Sequence, residues 1–258
     1  MNRITRLFKE KNNRVLNIYC TAGFPKLDST LEVMQALQKN GADIIELGMP
    51  YSDPLADGPV IQESSAKAIA NGMTIKKLFL DLQHFRDDIH VPVVLMGYMN
   101  PVLQYGFEEF CKDAHACGID GLIIPDLPQY EYEIFYAAIL KKYDLHFIFL
   151  ITPETSEARI KRLDELSGGF IYAVSSSATT GSKQNDEAVS DYLDRLQKLQ
   201  LNNPVLVGFG IKDKGSFDRA CRYANGAIIG TAYIQALHEN KSVEETTRSF
   251  ITSIINNS

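Results

Sequence analysis

Residues 42–59 read Ala-Asp-Ile-Ile-Glu-Leu-Gly-Met-Pro-Tyr-Ser-Asp-Pro-Leu-Ala-Asp-Gly-Pro, an apolar run followed by a loop rich in proline and aspartate. The apolar run predicts a buried strand that ends in a carboxylate, Glu46. A second carboxylate, Asp57, lies eleven residues later in a loop that three prolines stiffen. In a barrel enzyme, the end of a strand and the loop after it face one pocket. The stretch therefore predicts two ionisable side chains directed at a common site.

A structural role for the same acids is the alternative interpretation. Glu46 would form a salt bridge with a neighbouring strand, while Asp53 and Asp57, which precede proline and glycine, would cap turns. The density of constrained residues around the acids, together with the rest of the chain, favours the pocket.

Short apolar runs recur along the whole chain and alternate with segments of helical periodicity. The runs are continuous, as in parallel strands that are covered on both faces. They lie at residues 15–19, 42–46, 91–96, 121–124, 146–151, 170–174, 205–208 and 226–229. The helical segments lie at residues 30–39, 75–85, 107–116, 132–142, 157–166, 189–199, 216–222 and 243–255. This order predicts an α/β protein, a single (β/α)8 TIM-barrel domain over residues 1–258 with an extra N-terminal helix.

A doubly wound open sheet is the structural alternative. It is disfavoured because no Gly-x-Gly-x-x-Gly motif follows the first strand.

Composition restricts the classes of partner. The chain has 258 residues and a net charge of -6, which disfavours binding to nucleic acid. No run approaches the roughly 18 apolar residues of a membrane span, and the first residues lack the features of a signal peptide. The four cysteines stand singly, as expected of reduced thiols in a cytoplasmic protein.

The strand ends predict a phosphate site and an apolar pocket. Glycines after the last strands allow backbone N–H groups to approach an anion, and a threonine hydroxyl adds a donor. These residues are Gly181, Gly210, Gly230 and Thr231. The apolar residues at the other strand ends suit a flat hydrophobic ring. They are Tyr19, Met96, Tyr98, Leu150, Tyr172 and Phe209.

The two acids are expected to differ in ionisation. Glu46 would lose water in an apolar pocket, and this loss raises the pKa of a carboxyl group that gives and takes a proton. Asp57 lies in a polar loop and should stay ionised. No histidine shows the spacing of metal ligands, so no metal is expected. No lysine ends a strand, which argues against a Schiff-base aldolase.

Several motifs together resemble the tryptophan synthase alpha subunit family over essentially the whole chain. They lie at residues 21–25, 46–59, 95–101, 125–128, 172–175, 180–181 and 208–211. The resemblance implies the retro-aldol cleavage of indole-3-glycerol phosphate to indole and glyceraldehyde 3-phosphate in tryptophan biosynthesis. It places the family's general acid and base on Glu46, and the aspartate that holds the indole N–H on Asp57.

The remaining site residues follow from the same resemblance. It assigns the indole pocket to Tyr19, Tyr98, Tyr172 and Phe209, and the phosphate site to the glycines and Thr231 named above. The family's lid threonine falls on Thr180. One departure concerns the lid, where Ala178 replaces the family's glycine and is expected to alter lid closure rather than the reaction.

The resemblance also implies a partner. The family's alpha subunit joins a beta subunit in an alpha2beta2 heterotetramer, and pyridoxal phosphate belongs to that beta subunit, with no cofactor expected in this chain. Residues 53–57 and 125–128 are expected to face the partner. Two alternatives remain open, a stand-alone indole-3-glycerol-phosphate lyase and a mainly regulatory binding subunit. A sugar-phosphate isomerase or epimerase is disfavoured by the proline-rich loop.

Overall fold

A parallel sheet forms the centre of the protein in the computed structural model, which describes residues 1–174, 183–208, 210–238 and 241–255, with backbone alone for residues 183–188. The strands are β1 (Val15–Thr21), β2 (Ile44–Gly48), β3 (Val93–Met96), β4 (Gly121–Ile123), β5 (His146–Phe147), β6 (Leu150–Ile151), β7 (Ile171–Val174), β8 (Val205–Gly208) and β9 (Gly226–Ile229). Their order in the sheet is β5-β4-β3-β2-β1-β9-β8-β7-β6. The predicted α/β barrel is confirmed.

The two outermost strands of the sheet are halves of one chain segment. Sequence periodicity predicts a single strand over residues 146–151, whereas the structure divides it into β5, which pairs with β4, and β6, which pairs with β7. The residues between the halves continue the hydrogen-bond ladder of the sheet. Ile148 N–H donates to Leu122 O at 3.0 Å on one side, and Phe149 O accepts from Tyr172 N–H at 3.0 Å on the other. The segment therefore closes the ring.

Helices cover the outside of the barrel. They are α1 (Arg3–Glu10), α2 (Ser29–Asn40), α3 (Pro59–Ala70), α4 (Ile75–Asp81), α5 (Met99–Tyr105), α6 (Phe107–Cys117), α7 (Gln129–Glu131), α8 (Ala137–Lys142), α9 (Glu157–Leu166), α10 (Lys183–Lys198), α11 (Lys214–Tyr223), α12 (Thr231–Ala236) and α13 (Val243–Ile255). A 3-10 turn, Phe85–Asp87, follows α4, and a π-helical turn, Tyr132–Tyr136, joins α7 to α8.

Four of these helices are absent from the sequence prediction: α3, α5, α12 and the three-residue α7. In α3 and α5 a proline lies in the first turn, where it costs no hydrogen bond. Sequence reasoning takes such prolines as markers of loops. The α12 helix has only six residues, too few for a clear apolar period.

The extra helix predicted before the first strand is confirmed as α1, which covers the amino ends of the strands. Its Ile4 is fully buried. A buried carboxylate, Asp120, anchors this end of the barrel: it accepts the N–H of Val93 at 2.9 Å and ion-pairs with Arg86 at 2.5 Å and with Arg3 at 3.1 Å. The opposite end of the barrel, at the carboxyl ends of the strands, is therefore the end available for a functional site.

We expect Asp120→Ala to lower the free energy of unfolding by about 3 kcal/mol, because it leaves a largely buried guanidinium, Arg86, without its charge partner. The control is Glu109→Ala, which breaks an exposed pair with Lys112 and should cost under about 1 kcal/mol. Urea unfolding of both variants gives the comparison. Equal losses would show that Asp120 does not anchor this end.

Candidate active site

A cavity opens at the carboxyl ends of the strands. Its volume is about 140 Å³. The lining residues come from strands β1, β2, β3, β7 and β9, from the segments after β2, β8 and β9, and from the first turns of α3 and α12. They are Tyr19, Glu46, Asp57, Gly58, Ile61, Met96, Tyr172, Gly210, Ile211, Ile228, Gly230 and Thr231. The structure therefore brings both predicted acids into one cavity.

Glu46 lies on β2, directly beside Tyr19 of β1 in the strand register. Its side chain is 1% exposed, so ionisation would place a charge in an environment nearly without water. Burial raises the pKa of Glu46 to about 8; a hydrogen bond from Asn17 opposes the rise, and the charge of Asp57 adds to it. Glu46 is therefore mostly protonated at neutral pH and still able to ionise.

Asp57 lies in the loop between β2 and α3, and hydrogen bonds fix this loop. Asp57 N–H donates to Pro54 O at 3.0 Å, and Gln62 donates to Asp57 O at 2.8 Å. The hydroxyl of Tyr98 accepts from Ala56 N–H at 3.0 Å and is hydrogen-bonded to the Asp57 carboxylate. The carboxylate therefore has a defined position at the cavity wall.

The pKa of Asp57 departs from the expectation of an ordinary polar loop. Burial raises it to about 6, and the hydrogen bond from Tyr98 opposes the rise. Asp57 is still ionised in most molecules at pH 7, but its surroundings are drier than the sequence suggests. The two acids thus have well-separated pKa values in one cavity, an arrangement that favours division of acid and base roles.

Two tyrosine rings, of Tyr19 and Tyr172, form walls of the cavity and depend on glycines across the strands. A Cβ on Gly48 would lie 2.1 Å from the Tyr19 hydroxyl oxygen, and one on Gly208 would lie 2.3 Å from the Tyr172 ring. Only glycine therefore leaves room for each ring. Burial raises the pKa of both hydroxyls well above the usual value, so both stay neutral.

The other residues predicted for the ring pocket are placed differently. Met96 lines the cavity. Tyr98 stands behind Asp57 and contacts its loop. Leu150 pairs with Tyr172 on the neighbouring strand, but it lines a separate cavity together with Phe147. Phe209 lies outside the described residues.

Three of the four residues predicted for the phosphate site are among those that line the cavity. Gly210, Gly230 and Thr231 line the cavity, and Gly210 has a φ of 74°, a backbone conformation that favours glycine. Gly230 precedes the first turn of α12, whose N–H groups have no acceptors within the helix. The other predicted residues, Gly181 and the lid residue Thr180, lie outside the described residues, as does Ala178.

Four lining residues were missed by sequence reasoning. They are Gly58, Ile61, Ile211 and Ile228. Ile61 lies on α3, a helix that was not predicted, and Gly58 precedes it. Ile228 lies on β9 beside Asn17, and only the strand register shows that it faces inward.

Metal-binding clusters and membrane-spanning helices are both lacking in the described ranges. There, no three or more His, Cys, Asp and Glu side chains form a group that would hold a metal ion. No helix in these ranges is both long and apolar enough to span a membrane.

Known proteins of one family are similar to this chain over nearly its whole length. A family model described as tryptophan synthase alpha chain matches residues 6–256. The tryptophan synthase alpha chain of Flavobacterium johnsoniae is 52% identical over 94% of this chain and 96% of its own length. That of Bacteroides fragilis is 48% identical over 95% of this chain and 94% of its own length.

Solved structures give the same result. The alpha subunit of tryptophan synthase from Legionella pneumophila superposes with a TM-score of 0.87 at 35% identity and covers 98% of this chain and 97% of its own. A chain of tryptophan synthase from M. tuberculosis superposes with a TM-score of 0.86 at 30% identity, with 98% of both chains covered. With sequence and fold both matched over nearly its whole length, this chain belongs to the tryptophan synthase alpha chain family.

Proposed function

We propose that the cavity bounded by Glu46 and Asp57 is where this chain cleaves indole-3-glycerol phosphate to indole and glyceraldehyde 3-phosphate. The reaction is that of the family, a carbon–carbon lyase step in tryptophan biosynthesis. The observation that carries the proposal is that two carboxyl groups, those of Glu46 and Asp57, line one cavity at the carboxyl ends of the strands.

Glu46 is the general acid and base of this proposal. Its protonated carboxyl gives a proton to C3 of the indole ring, which leaves a cationic ring nitrogen. The resulting carboxylate takes the proton of the hydroxyl on the adjoining glycerol carbon. The carbon–carbon bond then breaks, its electron pair restores the aromatic ring, and the hydroxyl carbon becomes the aldehyde. Glu46 ends each turnover protonated, which matches the state that burial favours at pH 7.

Asp57 supports the charge that develops on the ring. Its carboxylate, held by Tyr98, accepts the ring N–H and becomes a stronger partner when that nitrogen turns cationic. A group that binds the transition state more strongly than the substrate accelerates the reaction.

Substrate binding divides between an apolar and an anion-binding part of the site. Tyr19, Met96, Tyr98, Leu150, Tyr172 and Phe209 remain our proposal for the indole pocket. Gly181, Gly210, Gly230 and Thr231 remain our proposal for the phosphate site, with Thr180 in the lid. Support comes from the lining of the cavity by Tyr19, Met96, Tyr172, Gly210, Gly230 and Thr231. Leu150 has the weakest support, because it lines a different cavity.

A beta subunit is the proposed partner, since the family works with one, and an alpha2beta2 heterotetramer is the proposed assembly. Large apolar side chains are exposed around the mouth of the site: Leu55 is 92% exposed, Tyr130 72% and Leu103 50%. A hydrogen bond from Asn100 to Tyr51 at 3.2 Å joins α5, which carries Leu103, to the loop of Leu55. An exposed apolar surface of this kind suits a protein partner.

Cofactor and location complete the proposal. Pyridoxal phosphate belongs to the beta subunit, and the steps assigned above use only side chains of this chain. A cytoplasmic location is supported by four free cysteines, which fit a reducing compartment.

We expect Glu46→Gln to lower kcat for indole release by about 10²-fold or more, because the amide cannot transfer a proton to or from the substrate. The assay measures indole from indole-3-glycerol phosphate, with and without a beta subunit. Binding of glycerol 3-phosphate should stay nearly unchanged. The control, Glu63→Gln, alters an exposed residue of α3 and should keep wild-type rates.

Normal turnover by Glu46→Gln would overturn the assignment of the acid. Wild-type chain that forms no indole alone and only activates its partner would favour the regulatory alternative. Wild-type rates that a beta subunit leaves unchanged would favour a stand-alone lyase.

A bell-shaped pH dependence follows from the two pKa values. The kcat/KM should rise as Asp57 ionises near pH 6 and fall as Glu46 loses its proton near pH 8, with both apparent values belonging to the coupled pair. Asp57→Asn should lower kcat/KM about 10²-fold and remove the lower limb. A lower limb that persists in this variant would belong to another group, such as the substrate phosphate, and would contradict the role of Asp57.

A further inference from the structure

An amide side chain lies inside the barrel beneath the cavity. Asn17 of β1 is fully buried. Among the buried residues of the described strands, Asn17 is the only one with an amide side chain. Its strand partner on β2 is Ile44, two residues before Glu46, so Asn17 stands one layer closer to the amino ends of the strands. An interior layer of a barrel is normally filled with branched apolar residues, so an amide here calls for a reason.

The contact of this amide is with Glu46. Asn17 Nδ2 donates to Glu46 Oε2 at 3.1 Å. Asn17 Oδ1 is buried and has no hydrogen-bond partner within the described part of the chain. An unsatisfied buried acceptor destabilises the folded state, and leucine at this position would avoid that penalty. The amide therefore lowers the stability of the fold while it contacts one side chain of the site, that of Glu46.

We propose that Asn17 is a positioning residue that keeps Glu46 in one place in both of its protonation states. The proposal rests on the function assigned above, in which Glu46 gives a proton and takes one in each turnover. An amide suits this task because it offers a donor and an acceptor in one plane. The ionised carboxylate accepts from Nδ2, as the structure has it. The protonated carboxyl donates its O–H to Oδ1, the atom that lacks a partner.

The proton itself never passes to the amide. In each turnover Glu46 gives a proton to ring carbon C3 and then takes one from the glycerol hydroxyl, while Asn17 exchanges one hydrogen bond for another. An apolar side chain at position 17 would form no hydrogen bond with either protonation state of Glu46. A carboxylate at that position would repel the ionised state of Glu46.

Other titratable groups also face Glu46 and must be considered in any pH dependence. They are Asp57 of the β2–α3 loop, Tyr19 and Cys20 of β1, and Tyr172 of β7. Burial raises the pKa of Tyr19, Cys20 and Tyr172 above the usual values, so Asp57 is the member of this set that titrates with Glu46 in the neutral range.

The test compares two variants in the indole assay over a range of pH. Asn17→Leu keeps the approximate size and removes the hydrogen bond. We expect kcat to fall about tenfold with KM changed less than about twofold, and the upper apparent pKa to rise by about one unit. Asn17→Asp keeps the shape and adds a carboxyl group beside Glu46, so it should raise the upper apparent pKa further.

The matched control is Asn203→Leu. Asn203 donates to Asp164 O at 2.7 Å and Oδ1 at 2.9 Å and does not line the cavity. This variant should lose stability while its pH profile stays that of the wild type. If Asn17→Leu behaves in the same way, or keeps wild-type kcat, Asn17 has only a packing role and the inference is wrong. A wild-type chain that forms no indole would instead refute the proposed function.

A measurement on the wild-type chain covers the case in which the Asn17 variants fail to fold. With asparagine labelled by nitrogen-15, one side-chain amide signal should shift with the apparent pKa of the upper limb, and the shift should vanish in Glu46→Gln. The absence of any asparagine signal that titrates in this range would overturn the inference.

Discussion

Removal of water from one carboxyl group, that of Glu46, is the interaction on which the rest of the site depends. The side chain projects from β2 into a closed ring of strands, where apolar residues and two tyrosine rings surround it. Ionisation there costs free energy, and this cost raises the pKa to about 8. The fold thus supplies a carboxylic acid that keeps its proton at pH 7 and still releases it to a suitable acceptor.

Asp57 can take a role different from that of Glu46 because its environment differs from that of Glu46. Asp57 comes from a loop at the edge of the same cavity, where Tyr98 donates a hydrogen bond and burial is less complete. Its lower pKa lets it remain ionised while Glu46 is protonated, so one site holds an acid and an anion together. Asn17 lies on the opposite side of Glu46, inside the barrel, and contacts the same carboxyl group. Glu46 therefore contacts a strand amide on one side and shares its cavity with a loop carboxylate on the other.

The barrel and its acids were predictable because their signals are local. Continuous apolar runs indicate parallel strands, and Glu46 and Asp57 follow one of those runs directly. Contacts between strands leave no such local signal. The division of residues 146–151, the need for Gly48 and Gly208 beside the tyrosines, and the contact of Asn17 with Glu46 all depend on register, which pairs residues far apart in the chain.

The wrong or incomplete predictions also arise because contacts between residues far apart in the chain leave no local signal. Prolines at the starts of α3 and α5 indicate loops when read along the chain, and in the structure they begin helices. Leu150 lies near the carboxyl end of its strand segment, but it lines a neighbouring cavity. Asp57 was expected to stay ionised in a polar loop, and a pKa of about 6 keeps it mostly ionised at pH 7, but the partial burial that raises this pKa was not predicted.

The most direct test of this account is a pH titration of the glutamate carboxyl carbons by carbon-13 NMR on the unliganded chain. The account predicts one glutamate signal that titrates near pH 8 and is missing from Glu46→Gln. If every glutamate carboxyl instead titrated near the usual value of about 4.3, burial would not keep Glu46 protonated, and the central claim would be contradicted.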